Sequence, residues 1–145
     1  VWVSNPHTVA LLFQPVLLRC HYTTSSSSSS SPIITWKYKS FCAPSSAASD
    51  DPLQAGGETS SSSSSSSSCP DSSRTVRIVA TKQGDLVTLG DFYRGRSVTV
   101  LGGAELSLGP AAWGDSGIYI CTVTSLQDLV GNNEAVAELV VLGEA

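Results

Sequence analysis

The sequence predicts an all-β sandwich, and three observations carry the prediction. Apolar and polar residues alternate in a series of short runs, the period of a strand with one buried face. Turn signals rich in Gly, Asn and Asp separate those runs. Cys20, Trp36 and the pair Tyr119-x-Cys121 fall on three of the runs, in that order. A buried Trp packed on an inter-sheet disulfide, with a Tyr hydroxyl bonded back to the corner before its strand, marks a variable-type immunoglobulin sandwich of about nine strands. The expected domain is a single one over 1–145, with Cys20 bonded to Cys121.

Val1 to Val3 and Thr8 to Phe13 read as an edge strand broken at Asn5-Pro6, where a residue without an N–H is tolerated and a first strand can change sheets. From Pro15 to Tyr22 the residues Val16, Leu18, Cys20 and Tyr22 point one way and Leu17, Arg19 and His21 the other. The seven serines Ser25–Ser31 can bury nothing and form a connection. In the next strand Ile34, Trp36 and Tyr38 face the core, and Thr35, Lys37 and Lys39 form a polar outer face.

Residues 43–73 contain no periodic apolar signal and include the nine serines Ser60–Ser68. We expect a flexible insertion there. Cys42 and Cys69 stand near its two ends, and a bond between them would pinch off its base. The serine runs are compatible with O-glycosylation, with natural low complexity or with replacement of original loops.

Alternation resumes from Arg74 to Thr81, with Val76, Ile78 and Ala80 expected inward and Arg77, Val79 and Thr81 outward. Lys82 to Asp85 reads as a hairpin turn, Leu86–Leu89 and Arg96–Val100 as strands, and Gly102-Gly103 as a turn into 104–108. The stretch Trp113–Cys121 follows, then a loop ending in Gly131-Asn132-Asn133, then a last strand with Ala137, Leu139 and Val141 inward.

The net charge of −4 lacks the basic footprint that nucleic acid demands. Four dispersed Cys without CxxC spacing favour disulfides over zinc, and therefore an oxidising, extracellular setting. There is no secretory leader pattern, no run of roughly 20 apolar residues and no Asn-x-Ser/Thr sequon. The chain reads as a mature ectodomain fragment whose membrane anchor lies elsewhere. His7 and His21 among so many serines do not make a triad, which needs an oriented base and an oxyanion hole. No catalytic residue, cofactor or metal is expected.

The segments Trp36–Cys42, Arg74–Gly84, Thr88–Arg96, Ala112–Cys121 and Gly131–Ala135 resemble the variable-type domain of the angulins, from near Val3 to Gly143. The resemblance implies a single-pass membrane protein whose ectodomain sits on the extracellular face of the plasma membrane at tricellular junctions of epithelia. Its cytoplasmic part recruits a tight-junction partner. It also implies a possible role as a receptor for lipoprotein particles or for clostridial binary toxins. The family's usual mixed sequence is replaced by serine in both Ser-rich stretches, so partner contacts are not carried over there.

Arg96 and Asp115 are expected to form a structural ion pair across the bottom of the sandwich. The candidate partner surface is the outer face of the sheet holding Trp36, Cys121 and the last strand. Thr35, Lys37, Lys39, Ile118, Ile120, Thr122, Val136 and Glu138 are predicted to point outward there, an apolar patch rimmed by Lys and Glu. Protein partners, including a second copy, would use it. β-Branched residues are also simply good strand formers, and a register slip of one residue would invert the list. Leu126 and Leu129, beside Asp128, either contact a partner or fold back onto the sandwich.

Overall fold

The computed structural model describes residues 1–23, 32–42, 69–124 and 133–143. They form β1 (Trp2–Val3), β2 (His7–Leu11), β3 (Val16–Leu18), β4 (Cys20–His21), β5 (Ile33–Lys39), β6 (Val76–Gln83), β7 (Leu86–Leu89), β8 (Val98–Leu101), β9 (Glu105–Leu108), β10 (Gly117–Thr124) and β11 (Glu134–Leu142). A six-stranded sheet in the order β2-β11-β10-β5-β6-β7 faces a layer made of β3-β9-β8 and the short pair β1-β4. All pairings are antiparallel except β2 on β11.

The strand number exceeds the expected nine because the first two expected strands are each cut once. Ser4 N–H still bonds Arg19 O at 3.1 Å in the small pair, while Pro6 O already accepts from Glu138 N–H at 2.7 Å in the large sheet. Between them the Asn5 side chain donates to Leu17 O and accepts from Arg19 N–H, both at 3.0 Å. One amide side chain thus satisfies the backbone groups left open where the chain changes sheets, as buried and half-buried polar groups require.

The core lies between the layers. Trp36 and Tyr119 are fully buried, with Leu18, Ile34, Leu106, Leu108, Leu139 and Val123 around them. Cys20 on β4 and Cys121 on β10 are bonded across the sandwich, with Cα atoms 6.5 Å apart, and Cys42 is bonded to Cys69. The Trp36 indole N–H donates to Ala104 O at 3.0 Å, so the same side chain fills the centre and ties β5 to the opposite layer. The inward sets expected for β3, β4, β5 and β11 are the buried ones. Of the insertion expected over 43–73, residues 43–68 lie outside the described residues, and Asp71–Ser73 form a 3-10 turn.

Strand β6 departs from expectation. Trp36 pairs with Ala80 but Lys37 pairs with Ile78, so Val79 is an extra residue in a β-bulge. Val79 and Ala80 are both fully buried, whereas Val76 and Ile78, expected inward, are exposed. Arg77, expected outward, is turned inward: its guanidinium stacks 3.7 Å from the Phe92 ring centroid and 4.3 Å from that of Tyr38, and Nε donates to Tyr93 Oη at 3.0 Å. Alternation cannot register an inserted residue, so the parity reverses at the bulge.

Gly90 closes onto this bulge, donating its N–H to Val79 O at 2.9 Å. A Cβ at Gly90 would come within 2.0 Å of the Ile78 carbonyl oxygen, a backbone atom that cannot step aside alone. Gly90→Ala is expected to destabilise the domain by about 1–3 kcal/mol, the range for a forced overpacking. Thermal denaturation followed by circular dichroism checks this.

Candidate recognition face

The outer face of the six-stranded sheet is built by cross-strand pairing, which places side chains of paired residues side by side. One row runs Val136–Ile120–Lys37–Ile78 across β11, β10, β5 and β6. The next runs His7–Glu138–Ile118–Lys39–Val76 and adds β2. A third, Glu134–Thr122–Thr35–Thr81–Thr88, ends on β7. On the other side of the middle row, Val9 pairs with Val140 and Leu11 with Leu142 along β2 and β11.

Of the residues expected to form a contact surface, Val136 is half exposed, Lys37 is exposed and Ile120 is partly so. Lys39 and Glu138 are present at the face but engaged: Lys39 Nζ lies 3.1 Å from Asp71 Oδ1, and Glu138 Oε1 lies 3.2 Å from His7 Nδ1. Ile118 is a correction. It faces the same side, outside the main core cluster, yet is only 4% exposed. Lys39 and Glu138 stand directly beside it on the two adjoining strands. These anchored side chains flank it, and it offers a partner almost no surface. Leu126 and Leu129 lie outside the described residues.

Six exposed apolar side chains of this face were not in the expected set: Val9, Leu11, Val76, Ile78, Val140 and Leu142. Val76 and Ile78 join it only because of the bulge at Val79. Val9 and Leu11 join it because β2 continues the sheet beyond β11. A signal for the bulge was present in the adjacent apolar pair Val79-Ala80, which strict alternation does not produce.

The end of the sandwich below this face is fixed by one charged constellation. Arg96 donates from Nη1 to Asp115 Oδ1 at 2.8 Å and from Nη2 to Asp115 Oδ2 at 2.7 Å, a bidentate pair. Asp115 is 1% exposed, and its Oδ2 also accepts from Ala112 N–H at 2.9 Å. The hydrogen bonds to the carboxylate raise the Arg96 pKa above its ordinary value, so the guanidinium stays charged. The Tyr119 hydroxyl donates to Asp115 O at 2.6 Å, the corner bond expected from the sequence. Burial pushes the Tyr119 phenol pKa upward, which keeps it a neutral donor.

Other polar groupings are small. His21 stacks on Trp2 and lies 3.1 Å from Ser4 Oγ, while His7 bonds Glu138, so serine, histidine and carboxylate do not line up among the described residues. No group of three or more His, Cys, Asp or Glu positioned to hold a metal is found among the described residues. No helix among them is long and apolar enough to cross a membrane.

No protein-family model matches the chain. It is 50% identical over 150 residues to the human lipolysis-stimulated lipoprotein receptor (Homo sapiens), covering 99% of this chain. It is 46% identical over 147 residues to immunoglobulin-like domain-containing receptor 2 of Homo sapiens, again over 99% of this chain. The chain belongs to the angulin family. This angulin domain spans about a quarter of those relatives, 23% of each of the two receptors. Immunoglobulin-like domain-containing receptor 1 of Homo sapiens is 33% identical over 143 residues and 98% of the chain.

Among solved structures, the extracellular portion of mouse CD200RLa superposes with a TM-score of 0.54 at 16% identity, covering 96% of the angulin domain and 56% of that chain. A chain from the study of T cell specificity and activation by toxic shock syndrome toxin-1 superposes with the same TM-score, 0.54, at 14% identity, covering 97% and 96%. These likenesses support the immunoglobulin-type sandwich. They show the fold alone, while the relatives matched over nearly the whole chain are named receptors.

Proposed function

We propose that this domain is the recognition module of an angulin-type, single-pass receptor and that it acts by protein–protein contact at tricellular junctions, without catalysis. The observation that carries the reading is the outer face itself. Exposed apolar residues on β2, β11 and β6 continue across one sheet, with Lys37 and Glu134 among them and no element of the described residues laid over it. A surface of this composition, apolar with a charged rim, is what a partner can desolvate. The family supports the setting, an extracellular face at a cell junction with the membrane anchor outside this chain. Contacts there need not be strong singly, because many copies confined to a junction raise the effective concentration.

Ile120→Asp combined with Lys37→Glu is expected to disperse a membrane-anchored ectodomain from cell contacts while the melting temperature and both disulfides are kept. Unchanged contact localisation of the double variant would remove this face from the reading.

The second reading is a receptor for a lipoprotein particle, favoured by the name of the relatives at 49–50% identity, or for a binary toxin, which the family resemblance alone implies. The two separate in one pair of experiments. Capture of those ligands by the purified domain, without aggregation of cells displaying it, supports the receptor reading; aggregation without capture supports adhesion.

A further inference from the structure

We propose that the cleft between β4 and the β8–β9 turn binds a quaternary ammonium group, the chemistry shared by a choline lipid headgroup and a free choline-type cation. The cleft belongs to the layer opposite the outer face, so it stands independently of the contact-face reading.

The cleft exists because two short sheets part. β3 pairs with β9 as far as Leu18 on Leu106. Beyond Arg19 the chain leaves β9, and Cys20 and His21 pair instead with Val3 and Trp2 on β1. Glu105, at the start of β9, keeps its partner Leu101 on β8 but has none on the other side. A wedge of about 500 Å³ opens there, lined by Trp2, His21, Tyr22, Gly102, Gly103 and Glu105 among others. Small-molecule sites commonly measure roughly 300–1,000 Å³.

The walls are aromatic. Trp2 and His21 stack with ring centroids 5.3 Å apart, yet Trp2 remains 51% exposed. The Tyr22 ring stands by Gly103, its Cε1 3.8 Å from where a Cβ on that glycine would lie. Gly102 and Gly103 line the cleft with backbone alone. A Cβ on Gly102 would lie 3.6 Å from Glu105 Oε1, which places the carboxylate at the same turn. Glu105 is partly buried and makes no ion pair or side-chain hydrogen bond among the described residues. Lys82 reaches the turn from β6 but donates its Nζ to Gly102 O at 3.1 Å and does not pair with Glu105.

Aromatic faces beside an unpaired carboxylate attract a cation, and aromatic cages for quaternary ammonium are the best-known use of that attraction. A primary ammonium needs acceptors for its N–H groups, and the carbonyls at this turn are already engaged, Gly102 O by Lys82 and Ala104 O by the Trp36 indole. A quaternary ammonium has no N–H to satisfy. A neutral apolar ligand would desolvate Glu105 and return nothing for it. A single half-exposed cage binds weakly, so many headgroups on one surface would raise its hold.

The test is a nuclear magnetic resonance titration of the disulfide-intact domain with choline, following the Trp2 indole N–H and the Gly103 amide. Saturable shifts are expected, with 3,3-dimethylbutan-1-ol, the uncharged carbon analogue of choline, binding at least about tenfold more weakly. Trp2→Ala and Glu105→Gln are each expected to weaken choline by about threefold or more. Gly103→Leu fills the cleft and is expected to abolish binding at unchanged melting temperature, which keeps the test open if Trp2→Ala fails to fold. Equal binding of choline and its uncharged analogue, choline affinity unmoved by Glu105→Gln, or no saturable shift at all overturns the proposal. Sedimentation with phosphatidylcholine vesicles but not with phosphatidylglycerol vesicles, lost in Gly103→Leu, assigns the site to a lipid headgroup. Choline binding without vesicle binding assigns it to a soluble cation.

Discussion

Arg96→Met is expected to destabilise the domain by about 3–5 kcal/mol, because it removes one partner of a buried pair and strands the other charge. Asp115 is 1% exposed and accepts two bonds from Arg96, whose own side chain is 25% exposed. Methionine supplies similar bulk but no donor, leaving a carboxylate with the Ala112 N–H as its hydrogen-bond partner among the described residues. The damage extends beyond the pair. The 3-10 turn Trp113–Asp115 carries the carbonyl that accepts the Tyr119 hydroxyl, so loosening Asp115 loosens the entry into β10.

The double variant Arg96→Met/Asp115→Asn is expected to regain part of the loss, since no charge is then buried and the amide oxygen still accepts from Ala112. Chemical denaturation of the wild type and of the single and double variants measures the coupling. Equal stability of Arg96→Met and wild type would show that the pair contributes nothing.

Removal of the Cys20–Cys121 bond, as Cys20→Ala/Cys121→Ala, is expected to be comparably severe. The bond closes a loop of 101 residues, and for about 100 residues the chain-entropy model assigns about 4.7 kcal/mol. Both cysteines are buried against the core cluster, so the alanines also leave space beside Trp36. The Cys42–Cys69 bond closes only 27 residues and joins half-exposed positions, so its removal is expected to cost less. Guanidinium unfolding of the two alanine pairs side by side gives the order. A smaller loss for the longer loop would mean that strain or residual structure in the unfolded chain, rather than loop length, decides.

Alternation and four marker residues were enough to read most of this domain. In β3, β5, β10 and β11 the side chains fall on the faces that period two assigns, because an antiparallel sheet with one buried face penalises any other register. Cys20, Trp36, Tyr119 and Cys121 meet as their spacing implied, and Arg96 reaches Asp115 across the bottom of the sandwich. The cut of the first strand was legible in Asn5-Pro6. The hydrogen bonds that Asn5 makes there were not, since they join residues 12 and 14 positions apart.

What tertiary structure alone decided is the make-up of the outer face. Period-two reading assumes that every residue is paired, and the unpaired Val79 breaks that assumption, sending Val76 and Ile78 out and Arg77 in among Tyr38, Phe92 and Tyr93. Ile118 shows the converse. Its direction follows from parity, but its burial follows from anchored neighbours on β5 and β11 and from Asp71 and His7, residues distant in sequence. A strand's own sequence dictates which way a side chain points. Whether anything covers it is settled by residues that only the folded chain brings beside it.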